Sequence, residues 1–339
     1  MSPHTAAPLP PASKLTARSR SRGERIRKAA SWGSIALALA ITYVCFGSSP
    51  AGTKAALGSF PPLLIMTVRG CVAGSVLTIW ALSTGAQRPT LRRLVCSFLV
   101  GTLILALGAG VGTIGQQTVA SGVVGVLSAM MPLITACLGY LLFREKPARQ
   151  ALIGLIIGFA GIGLLLRPGS NLDLFGVALV IAAQLSWALG AVLAPRLPLP
   201  EDPRLAAGLE LLGGSCVLLI ASVTWGEIRG LNLDAISRPS WLGLSWLIIT
   251  AVGGFTAYGF LAKRVSPSIS TTFAYVNPVM AVGLGWLLFN EPLTMRMMMA
   301  TAVVVFGVFL IVSAAGTEPE RRPHHPLTSG HGPARPQQR

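Results

Sequence analysis

Pro132-Leu-Ile-Thr-Ala-Cys-Leu-Gly-Tyr-Leu-Leu-Phe-Arg-Glu145 returns later in the chain as Pro278-Val-Met-Ala-Val-Gly-Leu-Gly-Trp-Leu-Leu-Phe-Asn-Glu291. Seven of the fourteen positions are identical: Pro132/Pro278, Leu138/Leu284, Gly139/Gly285, Leu141/Leu287, Leu142/Leu288, Phe143/Phe289 and Glu145/Glu291. An apolar composition supplies chance matches of Leu and Phe, but not an aligned Pro, Gly and Glu. The same offset of 146 carries Gly161 to Gly307 and Leu164 to Leu310. Earlier in the halves an offset of 141 carries Phe46 to Trp187 and Arg69 to Glu210. The chain is therefore built from two related halves.

Both halves are mostly apolar. Of 339 residues 52% are hydrophobic and 11% charged, with a mean hydropathy of +0.66, where a soluble domain carries about 25% charged residues. A membrane span needs about 20 mostly apolar residues, and runs of that kind lie near 32–52, 60–82, 94–112, 121–143, 150–166, 174–194, 205–225, 241–262, 268–289 and 296–314. The uncharged stretch Leu94–Phe143 is long enough for two spans and divides at the polar turn Thr113–Ser121. The expected fold is an all-α membrane protein of about ten transmembrane helices. Residues 31–168 form the first five-helix repeat and 174–315 the second. Residues 1–30 and 316–339, rich in Pro, Arg, Ser and Gly, are predicted to be disordered tails. Span 1 follows a basic segment as a secretory signal would, yet no small-residue cleavage site follows it and the repeat requires it.

An odd number of spans per half means that the two copies lie upside-down to each other. Loop charges fit this. Arg144-Glu145-Lys146 is basic where its copy Asn290-Glu291-Pro292 is not, and Gln117-Thr118 becomes Lys263-Arg264. With the N-terminus inside, cytoplasmic loops hold ten cations (Arg88, Arg92, Arg93, Arg144, Lys146, Arg149, Arg196, Arg204, Lys263 and Arg264). The outer side holds five: Lys54, Arg167, Arg229, Arg238 and Arg296. This positive-inside asymmetry predicts a cytoplasmic-membrane protein among lipids with both termini in the cytoplasm. It also accounts for the net charge of +16 without nucleic acid, which would need the cations gathered on one folded face.

In the residues that repeat, the chain resembles the EamA family of the drug/metabolite transporter superfamily. The likeness covers residues 33–315. It is carried by Phe46-Gly47-Ser48-Ser49 with Lys54, by Arg69, and by Ser121-Gly122 leading to Pro132-Leu133 and Glu145. In the second half it is carried by Ser186-Trp187-Ala188, Glu210-Leu-Leu-Gly-Gly214, and Thr271-Thr-Phe-Ala-Tyr-Val-Asn-Pro278 running to Gly285 and Glu291. Phe46 stands where the family usually has Trp, a mild departure. The resemblance implies a ten-span inner-membrane carrier, of a kind that often exports amino acids and related metabolites.

Candidate working residues follow from what hydrocarbon tolerates. Arg69 and Glu210 are charges placed inside spans, which costs up to about 2.5–3.5 kcal/mol at the bilayer centre. Two readings stand for each. Arg69 holds an anionic substrate group and Glu210 carries a coupling proton, or each braces its helix or snorkels to a headgroup. Tyr43, Phe46, Gln184, Trp187, Tyr258, Phe273, Tyr275 and Asn277 combine apolar bulk with a few hydrogen-bonding groups, as a small-molecule pocket requires. Ordinary bundle packing is the alternative for each. Gln116 and Gln117 fall at the outer mouth. Pro132 and Pro278 mark hinges or breaks in spans 4 and 9, with an inert kink as the bland reading. Glu145 and Glu291 end their helices and are read as stabilising loops, and Gly154-x-x-x-Gly158 as a helix-packing motif.

The five cysteines lie in apolar runs and the four histidines in the tails, so neither a metal site nor a cofactor is expected. Inverted repeats can rock about a central site and open it alternately. The leading reading is a secondary transporter exporting a small metabolite by alternating access, with proton influx as a candidate driving force. No Gly-x-x-x-x-Gly-Lys-Ser/Thr run is present for an ATP-driven pump. An intramembrane enzyme acting on lipid would need paired acids or a His–Asp set at membrane depth. A sensor or scaffold is the third possibility.

Overall fold

In the computed structural model of the chain, residues 32–317 are described, apart from 145–147, 167–172, 230 and 266. The tails 1–30 and 318–339 and the motif residue Glu145 lie outside the described residues. Among the described residues ten helical spans follow one another. Span 1 is Trp32–Ala56, broken at Ser48, span 2 is Pro62–Ser83 and span 3 Leu91–Gly115. Span 4 is Ser121–Ser128 and Met131–Phe143 (4a and 4b), and span 5 is Arg149–Leu165. The second half gives span 6 (Leu174–Arg196), span 7 (Pro203–Thr224), span 8 (Arg238–Ala262), span 9 (Pro267–Ser270 and Phe273–Phe289, 9a and 9b) and span 10 (Met295–Thr317). Eight are long and apolar enough to cross a membrane, while span 5 and 9b are shorter apolar helices.

The halves agree in local geometry. Spans 2 and 7 are each 22 residues long and open on a proline, Pro62 and Pro203, where the missing amide proton costs nothing. Among the described residues four have positive φ, and they form two repeat-related pairs. Gly85 and Gly226 follow spans 2 and 7, and Arg144 and Asn290 cap spans 4b and 9b in the left-handed region. The span-4 break falls at Ala129–Met130, just before Pro132. In span 9 the break is at Thr271–Thr272 instead, and Pro278 sits inside the unbroken helix 9b. Span 3 contains a π-helical stretch, Thr102–Gly110, while its counterpart, span 8, is regular α-helix.

Equivalent helices pack on each other in opposite directions. A Cβ on Gly74 would stand 2.9 Å from the Gly208 carbonyl oxygen, and one on Gly208 3.0 Å from that of Gly74. Gly70 of the same helix meets Ser215, so span 7 runs antiparallel to span 2. Spans 5 and 10 repeat the arrangement. Gly154 would meet the Gly307 carbonyl at 2.6 Å, Gly307 that of Gly154 at 2.7 Å, and Gly161 meets Val304. The Gly154-x-x-x-Gly158 motif is thus used for close helix approach. These reciprocal contacts make the repeat an inverted one. Among the described residues the two larger apolar cores are one built mainly from spans 4, 5, 6, 9 and 10 and another from spans 1, 2, 3, 7 and 8. Leu141, Leu142, Leu287 and Leu288 of the repeated motif point outward and exposed, as lipid-facing residues do.

Candidate functional site

A cavity of about 750 Å³ lies between the two cores and takes its lining from both halves. Span 1 contributes Phe46, Ser49 and Thr53, span 2 Met66 and Arg69, and span 3 Thr113. Gln116, just past the end of span 3, lies at its deep end. Gln184 and Trp187 come from span 6, Phe255 and Tyr258 from span 8, and Phe273 and Asn277 from span 9.

The aromatic rings form one group. Phe46 stands 5.1 Å from Phe273, 6.1 Å from Phe255 and 6.4 Å from Tyr258 between centroids, and Tyr258 is 5.8 Å from Phe273. Edge-to-face contacts of this kind hold the rings in place. Polar groups are few. Gln184 donates to Ser128 Oγ at 3.1 Å, and Gln116 donates to the Pro50 carbonyl at 2.6 Å. The buried Oδ1 of Asn277 has no protein partner. Trp187 packs on Gly108 of the π-helical stretch, and the neighbouring Ser186 donates at 2.8 Å to Leu103 O, a carbonyl within that stretch. Arg69 is 7% exposed and is the only charged lining residue among the described residues. Its Nη1 meets Met66 Sδ at 3.6 Å and its Nε has no partner.

Of the residues singled out from sequence, Phe46, Arg69, Pro132, Gln184, Trp187, Tyr258, Phe273 and Asn277 line the cavity. Four others do not. The Tyr43 hydroxyl is 2.6 Å from Thr272 Oγ1, and Tyr275 packs on Phe309 at 6.1 Å beside the first core. Pro278 is buried against span 4a. Glu210 sits where span 7 presses on Gly101 of span 3. It occupies the eighth position of span 7, as Arg69 does of span 2. Because the spans are antiparallel, the two residues lie toward opposite ends of the bundle, and among the described residues no ion pair joins them. Gln116, which the sequence sets at the outer mouth as a lesser candidate, is also a lining residue. It is buried at 3% exposure.

Burial differs between some of the lining residues at the cavity's two ends. Tyr258, Thr271, Thr135, Ala136 and Ala148 are half-buried, whereas Thr53, Met66, Thr113 and Gln116 at the other end are buried. The first group lies toward the bundle face where the chain enters at Trp32 (the N-terminal face), the second toward the far face.

Two carboxylates tie the far face. Glu291 accepts from the amides of Ser121 and Gly122 at 2.7 and 2.9 Å, fixing span 4a to the end of span 9b. Glu227 accepts from Leu63 and Leu64 at 3.2 and 2.9 Å, fixing the start of span 2 to the end of span 7. At the equivalent helix start on the N-terminal face the cap is local. Asp202 accepts from Arg204 N at 2.8 Å and Leu205 N at 3.4 Å. Asp202 also pairs with the Arg204 guanidinium at 2.8 Å. Those contacts hold its carboxyl at about 2.

Comparison with known proteins agrees with this architecture. The EamA-like transporter family model matches residues 33–167 and 174–313. The chain is 37% identical over 279 residues to the uncharacterized inner membrane transporter YedA of Escherichia coli (strain K12), covering 81% of this chain and 89% of that protein. It is 26% identical over 279 residues to the uncharacterized transporter YvbV of Bacillus subtilis (strain 168), covering 81% and 90%. A solved crystal structure superposes with a TM-score of 0.58 at 18% identity, over 83% of this chain and 96% of that one, and shares the fold. An all-helical bundle of two inverted halves around a central cavity, matched in both halves by one family model, places the chain in the EamA-like transporter family as a multi-pass membrane transporter.

Proposed function

We propose that this protein is a secondary transporter that exports a small metabolite, an amino acid or related compound or a drug-like molecule, by alternating access. The central cavity is its substrate site and the N-terminal face lies in the cytoplasm. One observation carries the reading. Ala281, Val282 and Gly285 of span 9b pack on Gly125, Gly122 and Ser121 of span 4a. Their repeat equivalents in span 4b, Thr135, Ala136 and Gly139, line the cavity, together with Thr271, the equivalent of Gly125. Inverted copies of one contact are thus closed on the far face and open on the other. Exchanging the two arrangements would open the cavity to the far face and close it to the cytoplasm. Among the described residues the lining has no carboxylate, imidazole or thiol, which supports carriage over lipid-directed chemistry.

In everted vesicles, accumulation of candidate metabolites should depend on the protein and collapse when the pH gradient is dissipated. Absence of accumulation for every candidate, with or without the gradient, would overturn export of those compounds. For the access mechanism, Ala136→Cys and Val282→Cys are placed separately in a background lacking the five native cysteines. A membrane-impermeant thiol reagent added to everted vesicles should label Ala136→Cys and spare Val282→Cys. Equal labelling of the two would refute the inward-open assignment.

A further inference from the structure

Among the described residues the cavity has one charged lining group, a buried cation without a counter-ion. Three other guanidinium groups show the partners such a group takes. Arg93 bonds Glu201 at 3.0 Å, Arg204 bonds Asp202, and Arg196 lies over the Phe143 ring at 3.7 Å from its centroid. Arg69 has only a weak thioether acceptor, and its buried Nε has none. Its 7% exposure excludes snorkelling to a headgroup. An unpaired buried charge is strongly unfavourable, and a planar guanidinium is built to take a carboxylate through two parallel hydrogen bonds. Around the same cavity lie the four packed rings of Phe46, Phe255, Tyr258 and Phe273, and the neutral, unpartnered acceptor of Asn277.

Resting on the transporter reading of this cavity, we infer that it selects a singly charged carboxylate with an apolar or aromatic body. The carboxylate takes the charge of Arg69 and the body packs on the rings. A free ammonium on the ligand finds no carboxylate among the described lining residues, so amines are rejected and zwitterions bind less well than plain acids. A dianion, such as a phosphate monoester, brings a second negative charge with no second cation to meet it.

The test is equilibrium binding to the purified, detergent-solubilised full chain with four ligands that share one body: 3-phenylpropionate, its primary amide, 3-phenylpropylamine and L-phenylalanine. The acid should bind about ten- to a hundredfold more tightly than the amide, the range that a charge-assisted pair supplies. L-Phenylalanine should fall below the acid and the amine should bind least. In Arg69→Gln the acid and the amide should bind alike, while Arg69→Lys keeps the acid ahead with weaker affinity. If Arg69→Gln does not fold, the ranking on the unaltered protein and on Arg69→Lys decides. Tighter binding of the amine or of L-phenylalanine than of the acid overturns the inference. So does binding of none of the four, or an acid affinity indifferent to Arg69→Gln. Binding is read without transport, so a correct ranking with no export defeats the transport reading alone, whereas export of amines with the ranking reversed defeats the anion inference alone.

Discussion

Thr135, Ala136 and Gly139 in the first half stand at the positions of Ala281, Val282 and Gly285 in the second, and the two trios have opposite surroundings. The second trio is pressed against span 4a, while the first faces the cavity. Residue volume accounts for part of the difference. On the far face the contact sets Ala281 on Gly125, where a Cβ on the glycine would collide with the alanine methyl. The matching pair on the N-terminal face is Thr135 with Thr271, two β-branched residues, and Thr135 returns its hydroxyl to its own helix at Met131 O, 2.7 Å away. Polar ties account for more. The far face is bound across spans by Glu291 and Glu227, which cap buried helix starts, whereas among the described residues of the N-terminal face Asp202 caps its own helix and Arg93 pairs with the exposed Glu201. Symmetry of fold therefore coexists with asymmetry of closure, and the asymmetry is written in a handful of residues.

The largest effect on this balance is expected from Gly125→Leu. Its side chain would occupy the space of Ala281, and overpacking of that kind costs about 3 kcal/mol, enough to unseat span 4a from span 9b. Transport should be lost, and Val282→Cys in the same chain should become reactive to an impermeant thiol reagent from the far face. Retention of full transport would show that the small-on-small contact is not the seal.

Glu291→Gln comes next. A neutral amide offers one oxygen where the carboxylate offers two to the amides of Ser121 and Gly122. Losing a charge-assisted bond costs about 1.5–3 kcal/mol, a roughly tenfold or greater shift toward the far-open state. Far-face labelling of Val282→Cys should rise by that order, and Glu227→Gln should act in the same direction through Leu63 and Leu64. If both variants label like the parent, the carboxylates are helix caps and nothing more.

Much of this architecture was legible in the sequence, because hydropathy and the repeat depend on composition and identity. The ten runs, the two halves and their inversion follow from the apolar stretches, the Pro132 and Pro278 motifs and the odd span count. Six of the eight expected pocket residues line the cavity because aromatic and amide groups at mid-span have few other places to go. Tyr43 and Tyr275 escape that logic, since a helix face shifted by one position turns toward Thr272 or Phe309 instead of the cavity. The span-9 break six residues before Pro278 and the π-helical stretch in span 3 leave no mark in composition. Which of the two trios packs on its partner span was equally hidden. Both trios are small and apolar enough to pack, and the choice depends on partners more than a hundred residues distant.

A milder change sharpens the same comparison. Thr271→Gly with Thr135→Ala gives the N-terminal face the residue sizes of the far-face seal and leaves the Glu291 tie of the far face as it is. The shift should stay below about 1 kcal/mol, a factor of five or less. Thiol labelling of Ala136→Cys in everted vesicles should fall by no more than that factor. A larger fall would mean that side-chain volume outweighs the carboxylate ties.

The smallest effect belongs to Asp202, whose cap is confined to one helix. Its carboxyl lies at about 2, below the ordinary 3.8, because Arg204 donates to it from guanidinium and backbone. A depressed carboxyl stabilises the fold above the unfolded value and loses that contribution as pH falls from about 4 toward about 2. Thermal stability in detergent should therefore be flat in this respect from pH 7 to about 4 and decline below it. Asp202→Asn keeps a side-chain cap, so it should melt close to the parent at pH 3 and slightly below it at pH 7. Its transport should be unchanged, because a local cap leaves the two faces as they were. An altered ratio of Ala136→Cys to Val282→Cys labelling in Asp202→Asn would show that this cap, too, takes part in closure, and the contrast between carboxylates that cap across spans on the far face and the local cap at Asp202 would fail.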